Sequence, residues 1–241
     1  MLLGLDLGTS SVKALLMAED GAILGEGAAP YAVRAPRPGW AESTPEDWWA
    51  AVLEATSAAV GRRGAEVTAL GLSGQMHGVV LVDELGLPLR SAVIWADARS
   101  GAELAAYRRL DEDLGRRLAN PPAVGMAGPS LLWLRDQEPD AYASARWALQ
   151  PKDWLRMRMT GEAATEPSDA SATLLYDLLA DDWAYATAED LGLRADPGLV
   201  QVQLNGLELV HLVIGQPNLA LVSQEVTQIV TRAGKVAAHT V

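Results

Sequence analysis

The sequence predicts an α/β protein whose sheet is mixed and flanked by helices. Three features predict it. Residues 2–7 are apolar around a single acid, Asp6, and a short turn of small and hydroxyl residues separates them from a second apolar run at 12–17. Glu19-Asp20-Gly21 is a hairpin signal, so the strand returning from it over residues 22–33 runs antiparallel to its neighbour, and the sheet is not a pure stack of parallel units. Helical patterns and single strands then alternate along the chain.

Residues 34–43 carry Pro36, Pro38 and Gly39 and read as a loop. Thr44 looks like a helix N-cap with Pro45 at the first helical position and Asp47 at the third, which opens a helix reaching about Val60. Residues 67–72 are a predicted strand, 74–78 a turn, 79–82 a strand, Glu84-Leu85-Gly86 a turn and 91–95 another strand. Residues 98–118 read as mostly helical, and 129–136 and 151–159 as short helices. The apolar stretch 173–179 is expected to be buried. Residues 201–204, Asn205-Gly206 and 207–214 have the pattern of a β-hairpin closed by an Asn-Gly turn.

At 241 residues the chain can bury a sizeable core, and its 49% hydrophobic and 21% charged residues are ordinary for a globular protein. A net charge of -12 argues against a basic nucleic-acid surface, though backbone N–H groups can still bind an anion locally. No apolar run reaches the roughly 18 residues of a membrane span, and no basic segment precedes an apolar one as in a signal peptide. There are no cysteines, which removes disulfides and thiolate metal sites and suits a cytoplasmic location.

Three segments carry chemistry. In Asp6-Leu7-Gly8-Thr9-Ser10-Ser11-Val12-Lys13 a strand ends in an acid, and the turn that follows can aim N–H groups and hydroxyls at a phosphate. An acid there repels phosphate unless a cation such as Mg²⁺ lies between them. The octapeptide fits a plain hairpin with one hydrogen-bonded Asp equally well, and it lacks the Walker A spacing. In Gly71-Leu72-Ser73-Gly74-Gln75-Met76-His77-Gly78 a strand leads into a turn bearing an amide, a thioether and an imidazole, which are groups that can recognise a sugar. Read alone, His77 is a structural histidine. In Ile94-Trp95-Ala96-Asp97-Ala98-Arg99 the acid and base, read alone, form a surface ion pair worth under about 1 kcal/mol.

Taken in order and spacing, these segments resemble the FGGY family of carbohydrate kinases. Residues 6–13 look like the first phosphate motif of the actin-like ATPases in the form this family uses. Gly39-Trp40-Ala41-Glu42, Pro45 and Trp48-Trp49 resemble its G-W-x-E…P…W segment. Gly74-Gln75-Met76-His77-Gly78 is similar to the sugar loop of its xylulose-phosphorylating members, whereas its glycerol kinases carry Gln-Arg-Glu there. Trp95, Asp97 and Arg99 match a W-x-D-x-R block, and Leu131-Leu132-Trp133-Leu134 resembles the core of a family signature. Pro151-Lys152-Asp153-Trp154-Leu155, Thr160-Gly161-Glu162 and Ser168-Asp169-Ala170-Ser171 look like the segment closing the sugar side. Ser130 stands where the signature has Lys, and Pro121-Pro122 interrupts a stretch that usually runs differently.

The resemblance implies an actin-like ATPase (ribonuclease H-like) domain over residues 1–197. It implies ATP and Mg²⁺ as cofactors, D-xylulose as the sugar and D-xylulose 5-phosphate as product, with a homodimer as a possible state of the full-length relatives. Gluconate, ribulose or glycerol as substrate, or sugar binding without catalysis, are the alternatives. Asp6 is then the catalytic and Mg²⁺-holding acid. Gly8, Thr9, Ser10, Ser11 and Lys13 lie along the phosphates, and Gln75, Met76, His77, Asp97 and Arg99 form or support the sugar pocket. Past about Gly198 the family's pattern gives out. The family's base is an Asp in a Gly-Gly-x-Asp-like loop opening its second domain, and here no Asp follows Asp196; the later acids are Glu208 and Glu225. The resemblance therefore implies the sugar-binding half of a kinase, without the ATP-binding domain and inactive by itself.

Overall fold

The computed structural model describes residues 1–194 together with Gln203 and Leu204. In chain order the elements are β1 (Leu2–Leu7), β2 (Ser11–Met17), β3 (Ile23–Pro30), β4 (Glu42–Ser43), α1 (Pro45–Val60), β5 (Ala69–Gly74), β6 (Val80–Val82) and β7 (Ala92–Val93). There follow α2 (Leu104–Tyr107), α3 (Glu112–Leu118), α4 (Ala127–Gln137), α5 (Pro139–Ser144), β8 (Trp147–Leu149) and α6 (Pro151–Thr160). Last come β9 (Ala164–Thr165), α7 (Pro167–Ser171), β10 (Tyr176–Asp177), β11 (Asp182–Trp183), α8 (Tyr185–Asp190) and β12 (Gln203–Leu204).

The main sheet has the order β3-β2-β1-β5, antiparallel between β1, β2 and β3 and parallel between β1 and β5. The expected mixed α/β sheet is therefore present. Period-two alternation divides its faces. Leu3, Leu5, Leu7, Val12, Ala14 and Leu16 point into the core, while Gly4, Asp6, Lys13 and Leu15 point the other way. The apolar run 2–7 thus forms a strand of which, among the described residues, only one face is covered.

Helix α1 covers that face. Trp48, Ala51, Val52, Ala55, Thr56 and Ala59 recur at helical spacing and are buried. It approaches β3 at Gly25 and Gly27, where an added Cβ would lie 2.1 Å from the Ala59 carbonyl oxygen and 2.0 Å from that of Ala55. Beyond β5 the chain builds a second region on the same core, with β4 paired to β7 and β6 to β8.

Some expectations change. Helix α1 begins at Pro45 as read, but Thr44 makes no side-chain cap; its hydroxyl accepts a 2.6 Å hydrogen bond from Arg34 Nη1. The helix expected over 98–118 is broken into a 3₁₀ turn at Arg99–Gly101, α2 and α3, because Asp111 caps a fresh start by accepting from the Asp113 N–H. The strand expected over 91–95 is only Ala92–Val93, the stretch paired with β4. Thr173 to Asp177 are buried, but Leu178 and Leu179 are exposed. Gln203–Leu204 pairs parallel to β9; the rest of the hairpin read over 201–214 lies outside the described residues. Among the described residues no helix is long and apolar enough to cross a membrane.

Candidate functional site

Parallel pairing of β1 and β5 brings the chemistry together. Parallel strands end at the same edge. The turn Gly8–Ser11 after β1 and the loop after β5 therefore emerge side by side, with Asp6 opposite Ser73 and Leu7 opposite Gly74. Asp6 points to the open face across from Lys13, its partner on β2. Both lie in an open depression of about 830 Å³ that Glu26, Gly71 and Ser73 also line. Lys13 is thus inside a strand beside Asp6, not in the turn with Thr9 and Ser10, and Ser11 opens that same strand.

The two loops are tied at several points. The Gln75 N–H donates to the Leu7 carbonyl at 2.7 Å. The Tyr31 hydroxyl donates to the Gly8 carbonyl and accepts from Gln75 Nε2 at 3.4 Å. Trp95 Nε1 donates to Thr9 Oγ1 at 3.0 Å. Gln75 is buried, and its amide supports the loop instead of facing out. Met76, at 59% exposure, and Trp95, at 45%, present apolar surface beside the turn. His77 is half-buried at φ 60°, a left-handed conformation uncommon for a residue with a side chain. Its Nδ1 is buried without a hydrogen-bond partner, and burial lowers the imidazole pKa. Gly78 donates to the Gly125 carbonyl at 3.0 Å, so the segment after Pro121-Pro122 braces the loop.

Asp97 and Arg99 lie underneath the loops. Arg99 is 1% exposed in its side chain, bonded to Asp97 Oδ2 at 2.8 Å and Glu42 Oε1 at 2.7 Å. Its guanidinium carbon sits 3.7 Å from the Trp40 ring centre and 4.9 Å from that of Trp133. Asp97 Oδ2 also accepts from the Ala41 N–H at 2.5 Å. Arg90 extends the network from Glu42 to Glu138. The surface ion pair read from sequence is thus corrected to a buried network that clamps the 39–42 loop to the 95–99 loop. Ser130, in place of the signature Lys, is buried with its hydroxyl unpartnered.

A second ionic cluster starts from Lys152, whose Cβ lies 3.1 Å from where a Cβ on Gly74 would stand. Lys152 Nζ lies 2.7 Å from Asp153 Oδ1, 3.1 Å from Asp169 Oδ2 and 3.8 Å from Glu166 Oε1. Burial pushes Asp153 up to about 6, against the pull of Lys152. A folded-state pKa above the unfolded value gives stability that is complete below about pH 4 and is lost as pH rises through about 6. Asp153→Asn removes this dependence. Its melting temperature relative to the parent is expected to rise by about 6–12 °C between pH 4 and 7, for a shift of about two pH units at about 1.4 kcal/mol each, in thermal melts at matched ionic strength; parallel pH curves for the two proteins would contradict the assignment.

Spacing revealed neither Tyr31 nor Lys152 as site residues. Tyr31 follows a strand-ending proline and has no motif around it. Lys152 was legible only as part of a family-like segment.

Among the described residues no group of three or more His, Asp or Glu could hold a metal ion. A single carboxylate beside a hydroxyl-rich turn does fit Mg²⁺, which keeps most of its waters and is commonly held by one or two carboxylates and substrate phosphates.

The family description "FGGY family of carbohydrate kinases, N-terminal domain" matches residues 1–212. The chain is 36% identical over 197 residues to the xylulose kinase of Escherichia coli K12, covering 81% of this chain and 41% of that protein. It is 34% identical over 208 residues to the xylulose kinase of Bacillus subtilis 168, covering 83% and 41%. Among solved structures, a xyloylose kinase from Brucella ovis superposes with a TM-score of 0.76 at 37% identity, covering 84% of this chain and 42% of that one. A Plasmodium falciparum glycerol kinase with ADP shares the fold at 19% identity, with a TM-score of 0.72 over 82% and 42%. The chain spans about two fifths of the length of these relatives.

Proposed function

We propose that this chain, which belongs to the FGGY family of carbohydrate kinases and has its actin-like fold, forms the sugar-binding side of an ATP-dependent D-xylulose kinase. The observation that carries this reading is the shared edge of β1 and β5. It sets an acid and a hydroxyl turn against an amide–thioether–imidazole loop, tied through Tyr31 and Trp95. One edge thus offers a phosphate surface next to a sugar surface.

The reaction is transfer of the ATP γ-phosphoryl group to the sugar's terminal hydroxyl, giving D-xylulose 5-phosphate and ADP. Asp6 would hold Mg²⁺ through water, and the ion would neutralise phosphate charge. Gly8, Thr9, Ser10 and Ser11 would line the phosphates, with Lys13 as a cation near Asp6. Met76 and His77 meet the sugar, while Gln75, Asp97 and Arg99 hold the loops from below. Close positioning of the two reactants is the main contribution such a surface makes.

Binding measured by calorimetry with D-xylulose, L-ribulose, gluconate and glycerol tests the sugar. Saturable binding of D-xylulose is expected, weakened at least about tenfold in Met76→Ala or His77→Ala, as for loss of about 1.4 kcal/mol. Preference for another sugar would replace the assignment. The 241 residues assayed by themselves with ATP and Mg²⁺ are expected to release ADP only at the Asp6→Ala background; xylulose-driven release above it would show that they hold their own proton acceptor.

A further inference from the structure

The Gly8–Ser11 turn and the loop that bears Met76 and His77 meet on one side chain. Tyr31 follows β3 directly, and its backbone N–H donates to the Ser10 carbonyl at 3.0 Å. Its hydroxyl donates to the Gly8 carbonyl, so the residue grips the turn at two points. The same hydroxyl accepts from Gln75 Nε2 at 3.4 Å. A hydroxyl has one donor and two acceptor sites, so it can serve both neighbours at once. Burial first, and then the charge of Asp6, push its pKa up, which keeps the proton that the Gly8 carbonyl takes up.

Gln75 depends on that hydroxyl. The residue is buried, and its Oε1 has no hydrogen-bond partner among the described residues. The bond from Nε2 to Tyr31 is what orients the amide. The backbone is anchored separately, by the Gln75 N–H on the Leu7 carbonyl at 2.7 Å. Met76 and His77 come next in the chain, so a ligand pressing on them bears on Gln75. The Tyr31 ring is fixed in turn, edge-on and 6.3 Å from the fully buried Trp48. A side chain pinned at its ring and bonded at its tip to both loops can carry a displacement that a loose one would absorb.

We propose that Tyr31 is a positioning residue that couples the two loops: sugar held by the Met76–His77 loop draws the Gly8–Ser11 turn into place through Gln75 Nε2, the Tyr31 hydroxyl and the Gly8 carbonyl. The inference rests on the proposed sugar-binding reading of that loop. Tyr31 meets neither reactant; it acts through Gln75 and Gly8. By reciprocity, phosphate held at the turn strengthens sugar binding by the same factor.

The test begins without sugar. The reporter is the NMR signal of the Gly8 carbonyl carbon, which responds to the hydrogen bond that the carbonyl accepts. Gln75→Leu is expected to shift it in the parent and to leave it unmoved in the Tyr31→Phe background, where the path is already cut. A shift of equal size in both backgrounds overturns the path. D-Xylulose is then titrated. In the parent, the Gly8 and Ser10 signals are expected to move together with the Met76 and His77 amides, at one shared midpoint. In Tyr31→Phe the loop amides still move, the turn signals move less than about half as far, and affinity falls about threefold to tenfold, as for one hydrogen bond lost. Lower affinity with the turn's response intact overturns the proposal, because a tyrosine that only supports the fold would give that pattern. A turn that does not respond in the parent overturns it too. If Tyr31→Phe does not fold, Gln75→Leu cuts the same path from its other end and is held to the same outcomes in the titration. A parent chain that binds no D-xylulose overturns the sugar assignment, and the coupling of sugar to turn with it; the sugar-free cycle separately shows whether the hydroxyl links the loops.

Discussion

Arg99→Met is expected to destabilise the chain by about 3–5 kcal/mol, a large part of a domain's total stability of about 5–15 kcal/mol. The methionine can still fill the space between Trp40 and Trp133, so the loss is electrostatic. Asp97 is 1% exposed, and it would keep only backbone donors from Ala41 and residue 99. Glu42 would keep Arg90. A buried carboxylate stripped of its guanidinium has no water to replace it. The measurement is equilibrium urea unfolding of the parent, Arg99→Met, and the double variant Asp97→Asn/Arg99→Met. The double variant is expected to recover part of the loss, since removing both charges leaves neither one orphaned. A cost under about 1 kcal/mol would restore the reading of an exposed pair.

That reading shows where sequence reasoning stops. An acid and a base two residues apart say nothing of depth. Depth here is set by Glu42, Trp40 and Trp133, which lie 57, 59 and 34 positions away from Arg99 or on the opposite side of it in sequence. What was legible obeys local rules: Pro45 at the start of α1, the alternation of β1 and β2, and the glycine-bounded turn before β6. The broken helix after residue 98 was missed because its apolar residues keep a helical period while Gly101 and the Asp111 cap interrupt it. Lys152 and Tyr31 were missed as site residues for the same reason as the depth of Arg99. Each acts on a loop far away in sequence, and only the parallel pairing of β1 with β5 brings those loops into reach.

The same dependence of site on fold makes Gly27→Ala the second large effect. Its Cβ would stand 2.0 Å from the Ala55 carbonyl oxygen and 2.9 Å from Ala58 Cβ, so helix α1 must move away from β3. Overpacking of this kind costs about 1–3 kcal/mol and occasionally more; backbone, not a flexible tip, is in the way, so a value near about 3 kcal/mol is expected. Gly115→Ala is the contrast, because that glycine lies within α3 with nothing within 4 Å of its added Cβ. It is expected to gain up to about 1 kcal/mol from helix propensity. Denaturant melts of both variants check the pair of signs. The displacement of α1 should also reach the site, since α1 carries Trp48, fully buried with its ring 6.3 Å from Tyr31 and 6.0 Å from Trp154. Tyr31 holds Gly8 and Gln75 together. Gly27→Ala is therefore expected to weaken D-xylulose binding below its midpoint denaturant as well as lower stability, while Gly115→Ala leaves binding unchanged. Loss of stability with sugar affinity intact would mean that Trp48 and Tyr31 do not pass the movement of α1 to the loops.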